Sequence, residues 1–469
     1  MEIFRKKTVS NFRSDANKSE LKKRLTSFDL AAVGIGCVVG TGIFVATGQG
    51  AKIAGPAVII SFLVAAITSG LCSLTYSELT SMFPVSGSTY SYSYIAFGEI
   101  VAWIIGWDLM LEYLVAAAAV ASAWSGTFVG ILSNFGIKLP NAIIKTPMLG
   151  GIVDLPAVLI TLAVTLLLYK GVSESAKVNN LIVGLKIVII LLFVFFGMTH
   201  IKVVNYHPFA PYGVSGVMSA ASIIFFSFIG FDAIATAVEE TKKPERDVPR
   251  GIMICFGVVV VLYMSVALVL TGIIPFNKID INNALPGALS YIGISWGSAL
   301  VGVGAVIGMI STLLVVLYGQ VRIFMVMSRD GLLPKVFSHV NEKHGTPGLC
   351  TVITGVLICV LAGVVPLNII MELCNIGTLF AFILVSLGIM VLRKTMPDIE
   401  RKFKCPGVPF TSILTIIFCV YLMLGLKPAT WLRFIIWLVL GLVIYFLYGV
   451  KHSIIRNNKA NGENISNDI

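Results

Sequence analysis

The chain has 469 residues, of which 57% are hydrophobic and 12% charged. Soluble globular proteins carry about 25% charged residues, so the composition excludes an ordinary soluble domain and points to an integral membrane protein. The net charge of +11 does not imply nucleic-acid binding, because the basic residues gather where membrane topology places them.

In chain order, a polar stretch at 1–27 comes first. It is too long and too charged to be the leading region of a cleaved signal, so it reads as a retained tail. Twelve apolar segments follow, at 28–50, 56–82, 98–130, 154–170, 178–200, 215–238, 248–274, 297–326, 347–365, 368–393, 410–427 and 430–450. Each comes near the roughly 17–25 residues that a helix needs to cross a bilayer. The expected fold is therefore an all-α integral membrane protein with 12 transmembrane helices. Lys and Arg concentrate in the tails and in the connections after even-numbered segments, which places both termini in the cytoplasm. The last stretch, 451–469, is a second cytoplasmic tail. Pro and Gly in Thr241–Glu245, Ser328–Pro334 and Met396–Asp398 mark helix ends. The eight cysteines are scattered with no paired spacing and read as small apolar fillers, so no disulfide or metal site is expected.

Two segments carry closely spaced glycines. The first holds Gly34-Ile35-Gly36-Cys37-Val38-Val39-Gly40-Thr41-Gly42-Ile43-Phe44, and the sixth holds Phe225-Phe226-Ser227-Phe228-Ile229-Gly230-Phe231-Asp232. Glycine weakens a helix, and unwound backbone at membrane depth is tolerated where it lines a cavity or is covered by protein. Gly-broken helices at matching places in two halves point to a transporter's substrate site. The chain then divides into a first repeat, 28–200 (segments one to five), and an inverted second repeat, 215–393 (segments six to ten). Segments eleven and twelve, 410–450, stand outside. Close packing between helices is the competing use of these glycines.

Ionisable residues at membrane depth need a reason. Lys186 lies in 178–200, where it either carries a proton or a fixed charge, or snorkels to the interface. Asp108 and Glu112 sit four apart, on one helix face; Asp108, nearer the cytoplasmic end, reads as structural. Asp232 reads as a helix cap ahead of a substrate contact. The breaks themselves offer free N–H groups and a positive helix end for a carboxylate. Thr41 and Ser227 add hydroxyls, and exposed carbonyls suit an ammonium group. Phe226, Phe228 and Phe231 are candidates to wall or gate the pocket, with ordinary packing the stronger reading for Phe226. The five histidines lie at segment ends or in loops, and no nucleotide-binding loop occurs. Neither enzyme nor cofactor chemistry is expected.

These blocks resemble the amino acid–polyamine–organocation superfamily, and within it the short bacterial form of the cationic amino acid transporter family. The resemblance spans nearly the whole chain. Besides the two breaks it rests on Tyr76-Ser77-Glu78-Leu79, Pro84–Tyr90, Gly106–Tyr113, Glu239-Glu240, Gly319-Gln320-Val321-Arg322 and Ile376-Gly377-Thr378-Leu379. It implies a five-plus-five inverted-repeat core with broken helices 1 and 6, working by alternating access in the cell membrane. It places the substrate carboxylate around Val39, Gly40, Thr41, Gly42 and Ile43. Phe231 would lie near the amino group and outer gate, beside Phe226, Ser227, Phe228, Gly230 and Ile234. Lys186 falls where proton-coupled relatives replace a sodium site with lysine, and Glu112 resembles its acidic partner.

The pocket stretches Ala116–Ala121, Ile234–Ala237 and Ile310–Leu317 are small and apolar apart from Thr236, Ser311 and Thr312. They favour a neutral, small to medium L-amino acid over arginine or lysine, since an unpaired buried cationic head is expensive. The expected partners are the substrate, protons and the lipid bilayer; a small membrane accessory subunit is compatible with this reading. A proton-independent exchanger of amino acids or polyamines and a membrane amino-acid sensor remain the alternatives.

Overall fold

A computed structural model describes residues 4–6, 25–83, 88–171, 176–340 and 346–456. Most of both tails, the Pro84–Gly87 part of one motif and the side chains of Thr236 and Glu239 lie outside the described residues. The described chain is helical, with two isolated bridges and no strand.

Among the described residues, fifteen α-helices of eight or more residues organise it: α1 (Ser27–Val38), α2 (Thr47–Ala54), α3 (Val58–Met82), α4 (Ser88–Ala96), α5 (Glu99–Asn134), α6 (Leu155–Tyr169), α7 (Ala176–Met198), α8 (Gly213–Ile224), α9 (Pro244–Ile273), α10 (Ala284–Tyr291), α11 (Ser295–Arg329), α12 (Gly348–Val364), α13 (Leu367–Thr395), α14 (Phe410–Leu424) and α15 (Pro428–Ile444). Among the described residues, eight continuous helical stretches are long and apolar enough to cross a membrane, and α1, α6, α12 and α14 are shorter apolar helices. Every expected apolar segment is helical over most of its length.

Two details depart from the sequence expectation. Helix α9 starts at Pro244, because proline, lacking an N–H and with φ preset, fits the first turn. That proline opens the next helix as well as following the previous one. Helices α4 and α10 fill connections that hydropathy leaves blank, since neither is long or apolar enough to register.

The exposed faces are themselves apolar. On α7, Leu181, Leu185, Val188, Leu191 and Phe195 are exposed, while Val183, Lys186, Ile190 and Phe193 are buried. A helix with hydrocarbon outside and a lysine inside suits lipid, not water. The core lies where α5, α11 and α13 pack together and α9 crosses α1 and α3.

The two broken helices run antiparallel. Half-helix α1 lies beside the second half of the other break, and α2 lies beside α8. Thr26 caps α1 through a capping box with Asp29. Just before it, Leu25 N–H donates to Glu240 O (2.9 Å), and Lys242 N–H donates to Leu25 O (3.1 Å). The start of one broken helix is thereby tied to the end of the other.

A buried ion cluster fastens α3 to α13 at the same end. Glu78 is fully buried and accepts from Arg393 Nε (3.0 Å), Arg393 Nη2 (2.6 Å) and Cys405 N–H (2.7 Å), with Arg401 Nε at 3.2 Å. Removing one member of a buried cluster leaves the others uncompensated. Glu78→Gln is therefore expected to destabilise the protein by about 3 kcal/mol, read as a lower unfolding midpoint in detergent. Lys402→Ala, which breaks an exposed pair with Glu245, should leave that midpoint unchanged.

Candidate functional site

The first break lies at Val39 and Gly40, between Gly36 and Gly42, where the chain leaves the helix. Val39 turns away at φ −80°, ψ 87°, and helical geometry resumes at Thr41. The next turn, Gly42–Ala46, is a π-turn leading into α2. The carbonyls freed at the end of α1 find donors. Gly36 O accepts from Lys186 Nζ (2.8 Å) and Thr312 Oγ1 (3.0 Å). Val38 O accepts from Tyr263 OH (2.7 Å) and Gly40 N–H (3.0 Å). On the other side of the break, the first N–H groups of the resumed helix have no intrahelical acceptor, and they form its positive end.

In the second break, the helix narrows to a 3₁₀ turn at Phe225–Phe228 and Ile229 is extended. Gly230 has φ +113°, a conformation that costs other residues dearly. A 3₁₀ helix, Phe231–Glu240, then restarts with Asp232 in its first turn. Backbone N–H groups of Gly230, Asp232 and Ala233 turn toward the Asp232 carboxylate. Tyr113 OH donates to it at 3.4 Å.

The two breaks meet. A Cβ added at Gly42 would sit 2.5 Å from Ser227 Cα, so only glycine allows this approach. Beside the contact is a cavity of about 50 Å³. Cys37, Val38, Thr41 and Gly42 line it from the first break, and Phe226, Ile229, Gly230, Asp232 and Ala233 from the second. Helix α5 contributes Glu112, Tyr113, Ala116 and Val120, and α11 contributes Thr312 and Val316. Thr41 Oγ1 and Ser227 Oγ are buried with no hydrogen-bond partner among the described residues. Unsatisfied hydroxyls beside a helix N-terminus are chemistry able to receive an anionic group such as a carboxylate.

Lys186 is 1% exposed, and its Nζ donates to Gly36 O and to Thr312 Oγ1 (2.9 Å). It therefore does not snorkel; it reaches inward and braces the end of α1 against α11. Glu112, 2% exposed, lies beside Thr378 of α13 and in the field of Asp232.

The expected site residues thus divide in space. Thr41, Gly42, Phe226, Gly230 and Glu112 line the cavity. Val39 and Ile43 are buried behind it, Gly40 backs onto Thr312, Ser227 onto Gly42, and Ile234 onto Gly34. Phe228 packs with Phe62 and Tyr263, and Phe231 with Tyr76 and Phe382, in aromatic clusters beside the cavity. Of the expected pocket stretches, Ala116, Val120, Thr312 and Val316 reach the lining, whereas Ala233 takes the place foreseen for Ile234–Ala237. Asp232, expected as a helix cap, sits in the first turn of the restarted helix and also lines the cavity, and Tyr113 was given no role by sequence reasoning. Their adjacency to Phe231 and Glu112 was the available signal.

A family model described as "Amino acid permease" matches residues 25–446. The chain is 46% identical to the branched-chain amino acid permease BcaP of Bacillus subtilis (strain 168), over 96% of this chain and 98% of that protein. It is 43% identical to the methylthioribose transporter of the same organism, over 97% and 99%. It is 35% identical to the chloroplastic cationic amino acid transporter 9 of Arabidopsis thaliana, over 92% and 89%. These relatives are named as permeases and transporters, not enzymes. With two broken helices framing a buried cavity and a family match over nearly its full length, the chain belongs to the amino acid permease family.

Proposed function

We propose that this permease imports neutral L-amino acids with small to medium aliphatic side chains, coupled to protons. The cavity at the contact of the two breaks carries this reading. Its Thr41 end, with Ser227 against Gly42 beside it, offers hydroxyls and a positive helix terminus for the substrate carboxylate. The Asp232 end suits the ammonium group. Ala116, Val120, Phe226, Ile229 and Val316 leave an apolar space for the side chain. The names of the Bacillus relatives, a branched-chain amino acid permease and a methylthioribose transporter, fit an uncharged cargo. Lys186, held at Gly36 O, and Glu112 on the cavity wall are the groups that load and release the proton. Twelve crossings, cytoplasmic termini and two five-helix repeats, 28–200 and 215–393, complete the proposal. The antiparallel broken helices give it the geometry for rocking between inward- and outward-open states.

A second reading has one observation behind it. Glu112 and Asp232 both face the cavity, and two carboxyls there would also accept a cationic side chain. Uptake into proteoliposomes separates the two. Labelled leucine, isoleucine and valine should accumulate when an inward proton gradient is imposed, and lysine and arginine should not. Preferential uptake of arginine would favour the second reading, and sodium-dependent uptake that ignores the proton gradient would remove the coupling claim.

A further inference from the structure

We propose that Asp108 is a second proton-carrying site, one turn from Glu112 on α5, that exchanges the coupling proton with Glu112 at the cavity. This rests on the proton-coupled reading given above.

Asp108 is fully buried, and neither carboxyl oxygen has a hydrogen-bond partner among the described residues. It lies nine residues into α5, about 14 Å along the helix at 1.5 Å per residue. A side chain as short as aspartate cannot reach the interface from there. An ionised carboxyl with no partner at that depth is costly, so a fixed charge is a poor use of this site. A purely structural carboxyl would be met by donors, as Glu78 is met by Arg393 and Cys405 N–H.

The neighbours give the route. Glu112 follows Asp108 by four residues, on the same face of α5, and lines the cavity. One short strip of α13 borders both acids. Gly377 faces Asp108 so closely that an added Cβ would lie 2.9 Å from Oδ1, and Thr378 lies beside Glu112. The titratable groups acting on Asp108 are Glu112 on its own helix and Cys374 on α13. In the exchange, the O–H bond on Glu112 breaks as its proton forms an O–H bond on the Asp108 carboxylate, and the reverse transfer returns the proton to Glu112, which lines the cavity and releases it there. No electron moves, and each proton taken up is given back once.

Asp108→Asn keeps the shape and removes the exchangeable proton. In proteoliposomes it should lower proton-gradient-driven accumulation by roughly tenfold or more and flatten the pH profile of uptake. Substrate affinity, read from the ligand-induced shift in melting temperature, should stay close to wild type. Accumulation and pH profile equal to wild type would overturn the proposal. Should Asp108→Asn not fold, Gly377→Ala tests the same site by crowding the carboxyl, with the same loss expected and an unchanged profile counting against it. The wild-type control keeps the two ideas apart: if wild-type uptake ignores the proton gradient, the proton-coupled reading fails first.

Discussion

Lys186→Ala is expected to abolish accumulation of labelled amino acid in proteoliposomes under an imposed pH gradient. The side chain is 1% exposed, and it donates to Gly36 O at the first break and to Thr312 Oγ1, which itself donates to Gly36 O. Hydrogen bonds to a charged group contribute about 1.5–3 kcal/mol each, so alanine releases the end of α1 from α11. It also removes a group able to carry the proton, which is the larger loss if transport is coupled as proposed. Lys186→Gln separates the two effects. It keeps a donor near Gly36 O but cannot take up or release a proton, so it should recover folding and substrate binding without recovering accumulation. Accumulation by Lys186→Gln at the wild-type level would leave Lys186 as a brace and nothing more.

Much of this arrangement was legible because it rests on local chemistry. Gly230 announces backbone that other residues adopt only at a cost, Gly42 a contact that no side chain permits, and the breaks lie there. Lys186 stood out because a lysine amid Val178–Met198 has no bland place to go except the interface. What sequence did not reveal is long-range. Tyr113 and Asp232 are 119 residues apart, and only the crossing of α5 with the second break brings them together. The direction in which Phe228 and Phe231 point is likewise set by partners elsewhere, Phe62, Tyr76, Tyr263 and Phe382, which no local pattern encodes. Helices α4 and α10 escaped because polar, short helices owe their stability to tertiary packing rather than propensity. Asp108 is the instructive case. Its place near the helix end suggested a structural role, and only the absence of donors around it among the described residues argues for another.

Gly42→Ala is expected to eliminate substrate binding while the helices still assemble. The added methyl would sit 2.5 Å from Ser227 Cα, and its next contacts are Ser227 Cβ at 2.8 Å and Oγ at 2.9 Å. A flexible side-chain tip would swing aside, but a backbone atom in the middle of a break cannot. Overpacking of this kind costs about 1–3 kcal/mol, small against the stability of a large helical bundle. The relief is local: the two breaks separate. Separation moves Thr41 and the start of the resumed helix away from Ser227, and a receptor for a carboxylate loses its donors when they shift by an ångström. Gly184→Ala is the matched control. Nothing lies within 4 Å of its added Cβ, and alanine suits the middle of α7 better than glycine by about 1 kcal/mol. Uptake and the ligand-induced shift in melting temperature should vanish for Gly42→Ala and persist for Gly184→Ala. Normal binding by Gly42→Ala would mean that the contact between the breaks can open without cost, and that the substrate is held somewhere other than where they meet.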